Sequence, residues 1–153
     1  MTAIPALPRT LGFAGLLPQA ACLVAVWFGG PEWRWTALAI AWAYASLIFT
    51  FLGGMWWGLA AAPSNGRVPD WVWLAAVAPS LIALATFLPW IVGQEWPGPS
   101  LLLLGILITG SVVVDGRLRS VTPAWWMRLR LPLSLGLGAL TIAIAVTALV
   151  IQR

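Results

Sequence analysis

Histidine and lysine are absent from this chain of 153 residues, and Cys22 is its single cysteine. Histidine is the commonest ligand of zinc and haem and the usual acid–base group near neutral pH, so its absence removes most metal and haem chemistry. A lone cysteine excludes a disulfide within the chain. No Ser–His or Cys–His pair exists for nucleophilic catalysis. We therefore expect a protein that is not an enzyme and that has neither a metal site nor a cofactor.

Charged residues are also scarce. They make up only 8% of the chain, whereas 61% of the residues are hydrophobic. Soluble domains carry about 25% charged residues, and a chain this short could not bury so much apolar surface in water. In a soluble protein, the net charge of +4 could indicate binding to nucleic acid. The arginines lie at the ends of apolar stretches, however, which is typical of membrane topology. We expect one integral membrane domain over residues 1–153, with the lipid bilayer and not nucleic acid as its partner.

Five apolar stretches are long enough to cross a bilayer as helices, so the predicted fold is an all-α bundle of five transmembrane helices. The predicted spans are residues 11–28, 35–61, 70–92, 100–114 and 132–151. Residues 123–131 mix tryptophan with arginine, which is typical of a segment in the headgroup region. We therefore predict a short interfacial helix before the last span.

The distribution of arginine predicts the orientation of this bundle. One side carries Arg9, Arg67, Arg117, Arg119, Arg128 and Arg130, and the other carries Arg34 and Arg153. Cytoplasmic loops are enriched in positive residues, so we expect a cytoplasmic N-terminus and an external C-terminus. Heavy use of Ala, Gly, Pro and Trp without lysine fits a GC-rich bacterial genome. The predicted location is the bacterial inner membrane.

Small residues recur every four positions in the second span, at Ser46, Thr50, Gly54 and Gly58. Residues four apart lie on the same side of a helix, and small side chains let membrane helices approach closely. We interpret Gly54 and Gly58 as a GxxxG packing motif and this span as the central helix. In the first span Pro18 predicts a kink, and we expect Gln19 to bond a neighbouring helix rather than a ligand.

The same stretch suggests an alternative, a ligand site. Tyr44, Trp56 and Trp57 would place aromatic rings beside Gly53 and Gly54, either lining a cavity for a flat apolar ligand or simply filling space. Ser80 follows Pro79 in the third span, where it is expected to help repair the kink or to add a polar group. The full candidate set, for ligand or packing, is Tyr44, Ser46, Thr50, Gly53, Gly54, Trp56, Trp57, Gly58 and Ser80.

A second candidate site lies at the cytoplasmic face and carries both signs of charge. It consists of Asp115, Arg117, Arg119, Arg128 and Arg130. Its simpler interpretation is topological anchoring together with an Asp–Arg pair. The alternative is a site for anionic lipid headgroups, which basic clusters at this face attract.

The order of motifs is itself informative. It runs from Gly15–Pro18, through Phe51–Gly58 (Phe-Leu-Gly-Gly-Met-Trp-Trp-Gly) and Ala78–Leu81, to Asp115 with its arginines and Pro123–Trp126. In these the chain resembles the bacterial family labelled domain of unknown function 3429, which is similar to mitochondrial transmembrane protein 69. The resemblance implies a small inner-membrane protein of several helices and implies no activity. The corresponding polar motif positions are Tyr44, Trp57, Ser80, Asp115 and Arg130.

A weaker resemblance, in length and tryptophan content, is to the tryptophan-rich sensory (translocator) protein family. It implies five helices and binding of porphyrins or sterols. Two functions are therefore expected. The first is a non-enzymatic protein that packs with copies of itself or within a larger membrane complex. The alternative is a binder or carrier of a small apolar ligand such as a porphyrin, quinone or sterol-like molecule.

Overall fold

The computed structural model describes residues 3–62 and 68–151, so the predicted topological roles of Arg67 and Arg153 lie outside the described residues. Every regular element in these ranges is an α-helix. The helices are α1 (Ala6–Ala14), α2 (Leu17–Phe28), α3 (Pro31–Ala61), α4 (Trp71–Ala85), α5 (Leu88–Ile91), α6 (Gly98–Arg117) and α7 (Trp126–Ile151).

The predicted five-span, all-helical bundle is confirmed. Five helical stretches are long and apolar enough to cross a membrane, namely Ala6–Phe28, Pro31–Ala61, Trp71–Ile91, Gly98–Arg117 and Trp126–Ile151. The first consists of α1 and α2, and the third of α4 and α5, each pair being separated by a short break. Successive spans run in opposite directions, so the start of α1, the end of α6 and the start of α7 lie at one end of the bundle.

The first span breaks where Pro18 stands near the start of α2. A proline has no backbone N–H and its ring crowds the preceding turn, which explains why the break falls at Gly15 and Leu16. Tyr44 of α3 donates its hydroxyl hydrogen to the Gly15 carbonyl. A carbonyl in a helix break within lipid needs such a partner, so Tyr44 stabilises the kink.

Helix α3 is central, as predicted, since it packs against α2, α4, α6 and α7. Its buried side includes Ala37, Ala41 and Ala45, whose spacing of four forms a narrow apolar stripe. Elsewhere in the core, Gln19 of α2 donates to the Thr141 hydroxyl of α7 over 2.9 Å, and both side chains are fully buried. The expected helix-to-helix hydrogen bond of Gln19 is therefore confirmed.

The predicted glycine ridge is not the surface that packs within the chain. Gly54 and Gly58 are exposed, and a methyl group added to either would meet nothing within 4 Å. Gly53 makes the close contact instead, because a Cβ there would collide with the Ala76 carbonyl oxygen and touch the Pro79 ring of α4. One residue turns a helix by about 100°, so the choice between adjacent glycines changes the face that is buried.

Helices α6 and α7 form the most extensively packed pair, and a glycine from each lies at their crossing. A Cβ on Gly105 would lie 2.7 Å from Ile142 Cγ1 and 3.1 Å from the Gly138 carbonyl oxygen. The hydroxyl oxygens of Ser111 and Ser134 lie 3.3 Å apart across the same interface. Small residues thus bring the two backbones together, as membrane helices require.

The predicted separate interfacial helix over residues 123–131 is wrong. Helix α7 begins at Trp126 and continues through Pro132 to Ile151. Pro132 lies in the second turn, where the missing N–H removes a single backbone hydrogen bond, so the helix continues. Helix α6 likewise extends beyond the predicted end at residue 114, to Arg117. Asp115 and Arg130 are therefore held on regular helix and not in a loop.

Alanine substitutions at the adjacent glycines provide a matched test of this packing. Gly53→Ala should destabilise the protein by about 1–3 kcal/mol because the methyl group has no room against α4. Gly54→Ala should be neutral or stabilising by up to about 1 kcal/mol because the position is open and alanine favours helix. Thermal unfolding in mild detergent measures both. A larger loss at Gly54 than at Gly53 would contradict the assigned face.

Candidate functional site

A buried ion pair joins three spans near the end of the bundle where α7 begins. Arg130 Nε of α7 lies 2.8 Å from Asp115 Oδ2 of α6. The indole N–H of Trp56, on α3, donates to Asp115 Oδ1 over 2.9 Å. Asp115 is fully buried, and the Arg130 side chain is only 11% exposed. Both carboxylate oxygens are therefore engaged, and α3, α6 and α7 meet at one side chain.

Helix α6 alone would disfavour this carboxylate. Asp115 stands in the last turn of α6, where the helix dipole presents partial negative charge. A buried unpaired carboxylate is costly in any apolar surrounding, so its charge must be compensated. Arg130 supplies the opposite charge and Trp56 a second donor, which together make the burial tolerable. The Asp–Arg pair expected from the sequence is present, with Arg130 as the partner.

The other arginines of the predicted cytoplasmic cluster are spread over the surface. Arg117 and Arg119 are exposed, and the Arg117 guanidinium carbon lies 5.7 Å from the centre of the Trp71 ring. Arg128 is exposed on α7. The structure therefore brings two of the five residues together and leaves three around them.

The residues predicted to form an aromatic ligand site do not surround one cavity. Trp56 is buried against Asp115, whereas Trp57 is half exposed and makes an edge contact with Trp73, with ring centres 4.8 Å apart. Ser46 is buried on α3 and Ser80 is exposed on α4. Thr50 donates its hydroxyl hydrogen to the Leu47 carbonyl of its own helix. For Trp56 and Tyr44, a packing role fits these contacts better than a role in a ligand site.

A cavity of about 460 Å³ lies elsewhere, between α1, α3, α6 and α7, and we term it the lateral groove. It includes none of the residues of the predicted ligand site. Its walls are mainly apolar and include Pro8, Leu11 and Gly12 of α1, Ile48, Phe51 and Met55 of α3, Ile108 of α6, and Leu129, Leu133 and Leu137 of α7. The break at Gly15 separates α1 from α3 and thereby leaves this space.

The polar groups of the lateral groove are concentrated on α7. Trp126, Arg130 and Ser134 line it, and the Ser134 hydroxyl lies beside that of Ser111. Two buried nitrogens, Trp126 Nε1 and Arg130 Nη2, have no hydrogen-bond partner among the described residues. Leaving a buried donor without a hydrogen-bond acceptor costs about 1–3 kcal/mol, and more for a charged group. Two residues of the groove wall therefore carry N–H donors that lack an acceptor oxygen within the described part of the chain.

Sequence reasoning missed this groove although two signals pointed toward it. Pro18 predicted a kink, and a kink in the first span necessarily alters its distance from neighbouring helices. Trp125, Trp126 and Arg130 line the groove and belong to the stretch whose mixture of tryptophan and arginine predicts a headgroup location. What the sequence could not supply was the pairing of α1 with α7, which brings Gly12 against Leu133.

A separate aromatic cluster occupies the opposite end of the bundle. Trp42 stacks on Phe87 with ring centres 5.1 Å apart and makes an edge contact with Trp96 at 5.4 Å. Its indole N–H donates to the Thr86 hydroxyl over 3.0 Å. Trp35 and Trp90 each contact Trp96 as well. This cluster packs the short α5 segment against α3 and accounts for the position of Trp42.

The fold and these contacts define a polytopic helical membrane protein with an ion pair buried among its spans. A family model described as "Protein of unknown function (DUF3429)" matches residues 4–148. The match covers nearly the whole chain, so the protein belongs to this family, as its motifs predicted. Comparison with curated proteins and with solved structures gave no match.

Neighbouring tryptophans allow a matched test of the Trp56 contact. Trp56→Phe should destabilise the protein by about 1.5–3 kcal/mol because the Asp115 carboxylate loses a charge-assisted hydrogen bond. Trp57→Phe should stay within about 0.5 kcal/mol because that ring is half exposed and phenylalanine keeps an aromatic contact with Trp73. Thermal unfolding in mild detergent reports both values. Equal losses would contradict the role of the Trp56 N–H.

Proposed function

We propose that this protein is a non-enzymatic membrane protein that binds the apolar chain of a membrane amphiphile in the lateral groove. The observation that carries the proposal is the groove itself, an apolar space of about 460 Å³ among the spans. Ligand pockets typically measure about 300–1,000 Å³ and are lined mainly by apolar and aromatic side chains with a few polar groups. Of the two functions expected from the sequence, this geometry favours the ligand binder, at a site different from the predicted one.

The groove has access to the membrane from the side. Leu11 of α1 and Phe51 of α3 both line it and are 63% and 67% exposed. They form a rim that faces the surroundings of the bundle, whereas Leu52, Ile108 and Leu137 form a buried floor. A ligand dissolved in the bilayer can therefore enter between α1 and α3 without passing through water.

The dimensions of the groove favour an extended chain over a broad ring system. Its lining on α7 runs from Trp126 to Leu137, which is about 16 Å at 1.5 Å per residue. This equals about half of a hydrocarbon core roughly 30 Å thick, or one leaflet. An acyl or isoprenoid chain of that length lies parallel to the helices, as a lipid chain does in its own leaflet.

The proposed location is the bacterial inner membrane, with the groove in the cytoplasmic leaflet. Among the described residues, the end with the groove's polar groups carries five arginines and two aspartates, and the other end carries one arginine and two glutamates. The positive-inside rule then places the first end in the cytoplasm, with the N-terminus.

Association with copies of itself or with a larger membrane complex is the second candidate. It is supported by Gly54 and Gly58, which lie on the surface with open space beside them. Such a ridge allows another helix to approach closely. Native mass spectra of the purified protein would show a stoichiometric partner, and a protein that is monomeric in both membranes and mild detergent would contradict this candidate.

Adjacent residues on α3 provide the test of groove binding. Ile48→Trp should fill the buried end of the groove and lower the retention of bound lipid by about tenfold, the factor given by about 1.4 kcal/mol. Leu47→Trp is the control because Leu47 is 66% exposed and outside the groove. Native mass spectrometry from mild detergent measures the lipid retained by each. Unchanged retention in Ile48→Trp would refute the proposal.

Single cysteines in a Cys22→Ala background test the orientation. A cysteine at the exposed Ser120 should resist an impermeant thiol reagent in intact cells, whereas one at the exposed Gln94 should react. The physical reason is that the two positions lie at opposite ends of the bundle. Labelling at residue 120 without labelling at residue 94 would reverse the proposed topology.

A further inference from the structure

The lateral groove separates polar from apolar groups along its length. Its unpartnered donors, Trp126 Nε1 and Arg130 Nη2, come from the first two turns of α7, at the cytoplasmic end in the proposed orientation. Its other end is formed by Leu16, Ile48, Ile108 and Leu137. A ligand that satisfies both ends has a polar head at one end and an apolar tail of one-leaflet length at the other.

The head that fits must accept hydrogen bonds. Trp126 and Arg130 offer only N–H groups at these atoms, and Arg130 already uses its Nε for Asp115. Each Asp115 oxygen already accepts a hydrogen bond, from Trp56 or Arg130, and Asp115 is not among the residues that line the groove. Phosphate oxygens match two N–H donors of this kind, and a guanidinium is suited to bind them.

The charge around the groove favours an anionic head over a zwitterionic one. Asp115 neutralises Arg130 within the ion pair, so the pair alone does not favour an anionic head over a zwitterionic one. Arg9 follows the lining residue Pro8 in sequence, and Arg128 is two residues from Trp126 on α7. These arginines give this end an excess of positive charge, and basic clusters at the cytoplasmic leaflet attract anionic lipids.

We infer that the lateral groove is a site for an anionic phospholipid, whose phosphate accepts hydrogen bonds from Trp126 Nε1 and Arg130 Nη2 while one acyl chain lies in the groove. This inference rests on the proposed function and adds the headgroup to it. It assigns the anionic-lipid role predicted for the cytoplasmic arginines to one buried position. Trp126, which was not among the predicted site residues, supplies the second donor.

The test compares two lipids that differ only in the head. The full-length protein is reconstituted in vesicles containing equal amounts of palmitoyl-oleoyl phosphatidylglycerol and palmitoyl-oleoyl phosphatidylcholine, then extracted in mild detergent for native mass spectrometry. The wild type should retain phosphatidylglycerol in preference. Trp126→Phe keeps the ring but removes a donor to the phosphate, and should lower the amount of phosphatidylglycerol retained by about tenfold. Trp33→Phe, at the other end and 68% exposed, should leave that amount unchanged.

A second variant covers the case in which Trp126→Phe does not fold. Arg130→Lys keeps a cation for Asp115 but lacks the guanidinium Nη2 donor, so it should also lower the amount of phosphatidylglycerol retained. Equal retention of the two lipids by the wild type would overturn the inference, as would undiminished phosphatidylglycerol retention in a folded variant of either residue.

The outcomes also distinguish a wrong headgroup assignment from a failure of the proposed function. If the wild type retains both lipids equally and Ile48→Trp loses both, chain binding stands and the assigned headgroup is wrong. If the wild type retains neither lipid, the proposed function fails and the inference fails with it.

Discussion

One carboxylate inside an apolar bundle constrains the whole molecule. Asp115 is fully buried, so it must meet both a cation and a further donor, and these come from different spans. Arg130 and Trp56 can reach it only if α3, α6 and α7 hold one relative position. Apolar contacts in lipid are weakly directional, because lipid tails compete for them on equal terms. The ion pair and the close glycine contacts therefore specify which arrangement of five similar helices forms.

The lateral groove follows from a second constraint, the break in the first span. Pro18 interrupts the helix, Tyr44 holds the freed Gly15 carbonyl, and α1 then packs on α7. The space left between α1 and α3 ends at Arg130, one of whose nitrogens is committed to Asp115 while another has no partner among the described residues. The residue that fixes the helices thus also provides the groove's charged group, which links the stability of the fold to what it can bind.

The sequence was sufficient to predict the spans, since apolar stretches of sufficient length have one interpretation in a bilayer. It also predicted the Asp–Arg pair and the Gln19 contact, because polar groups in lipid must find partners. It did not identify the buried face of α3. Every face of that helix is apolar, so hydrophobic periodicity does not distinguish the side that packs in the core from the side that faces lipid. From the sequence alone, Gly53 and Gly54 are equally plausible as the packing glycine. The contact with α4 shows that it is Gly53. The groove depends on packing between α1 and α7, which no local pattern specifies.

The most direct measurement is a double-mutant cycle on the ion pair, followed by thermal unfolding in mild detergent. Asp115→Asn and Arg130→Gln should each destabilise the protein by about 3–5 kcal/mol, because each leaves its partner as an uncompensated buried charge. The double variant removes both charges and should cost much less than the sum of the single losses. Additive losses would show that the two residues do not compensate each other, and the ion pair could then not be what fixes the arrangement of the helices.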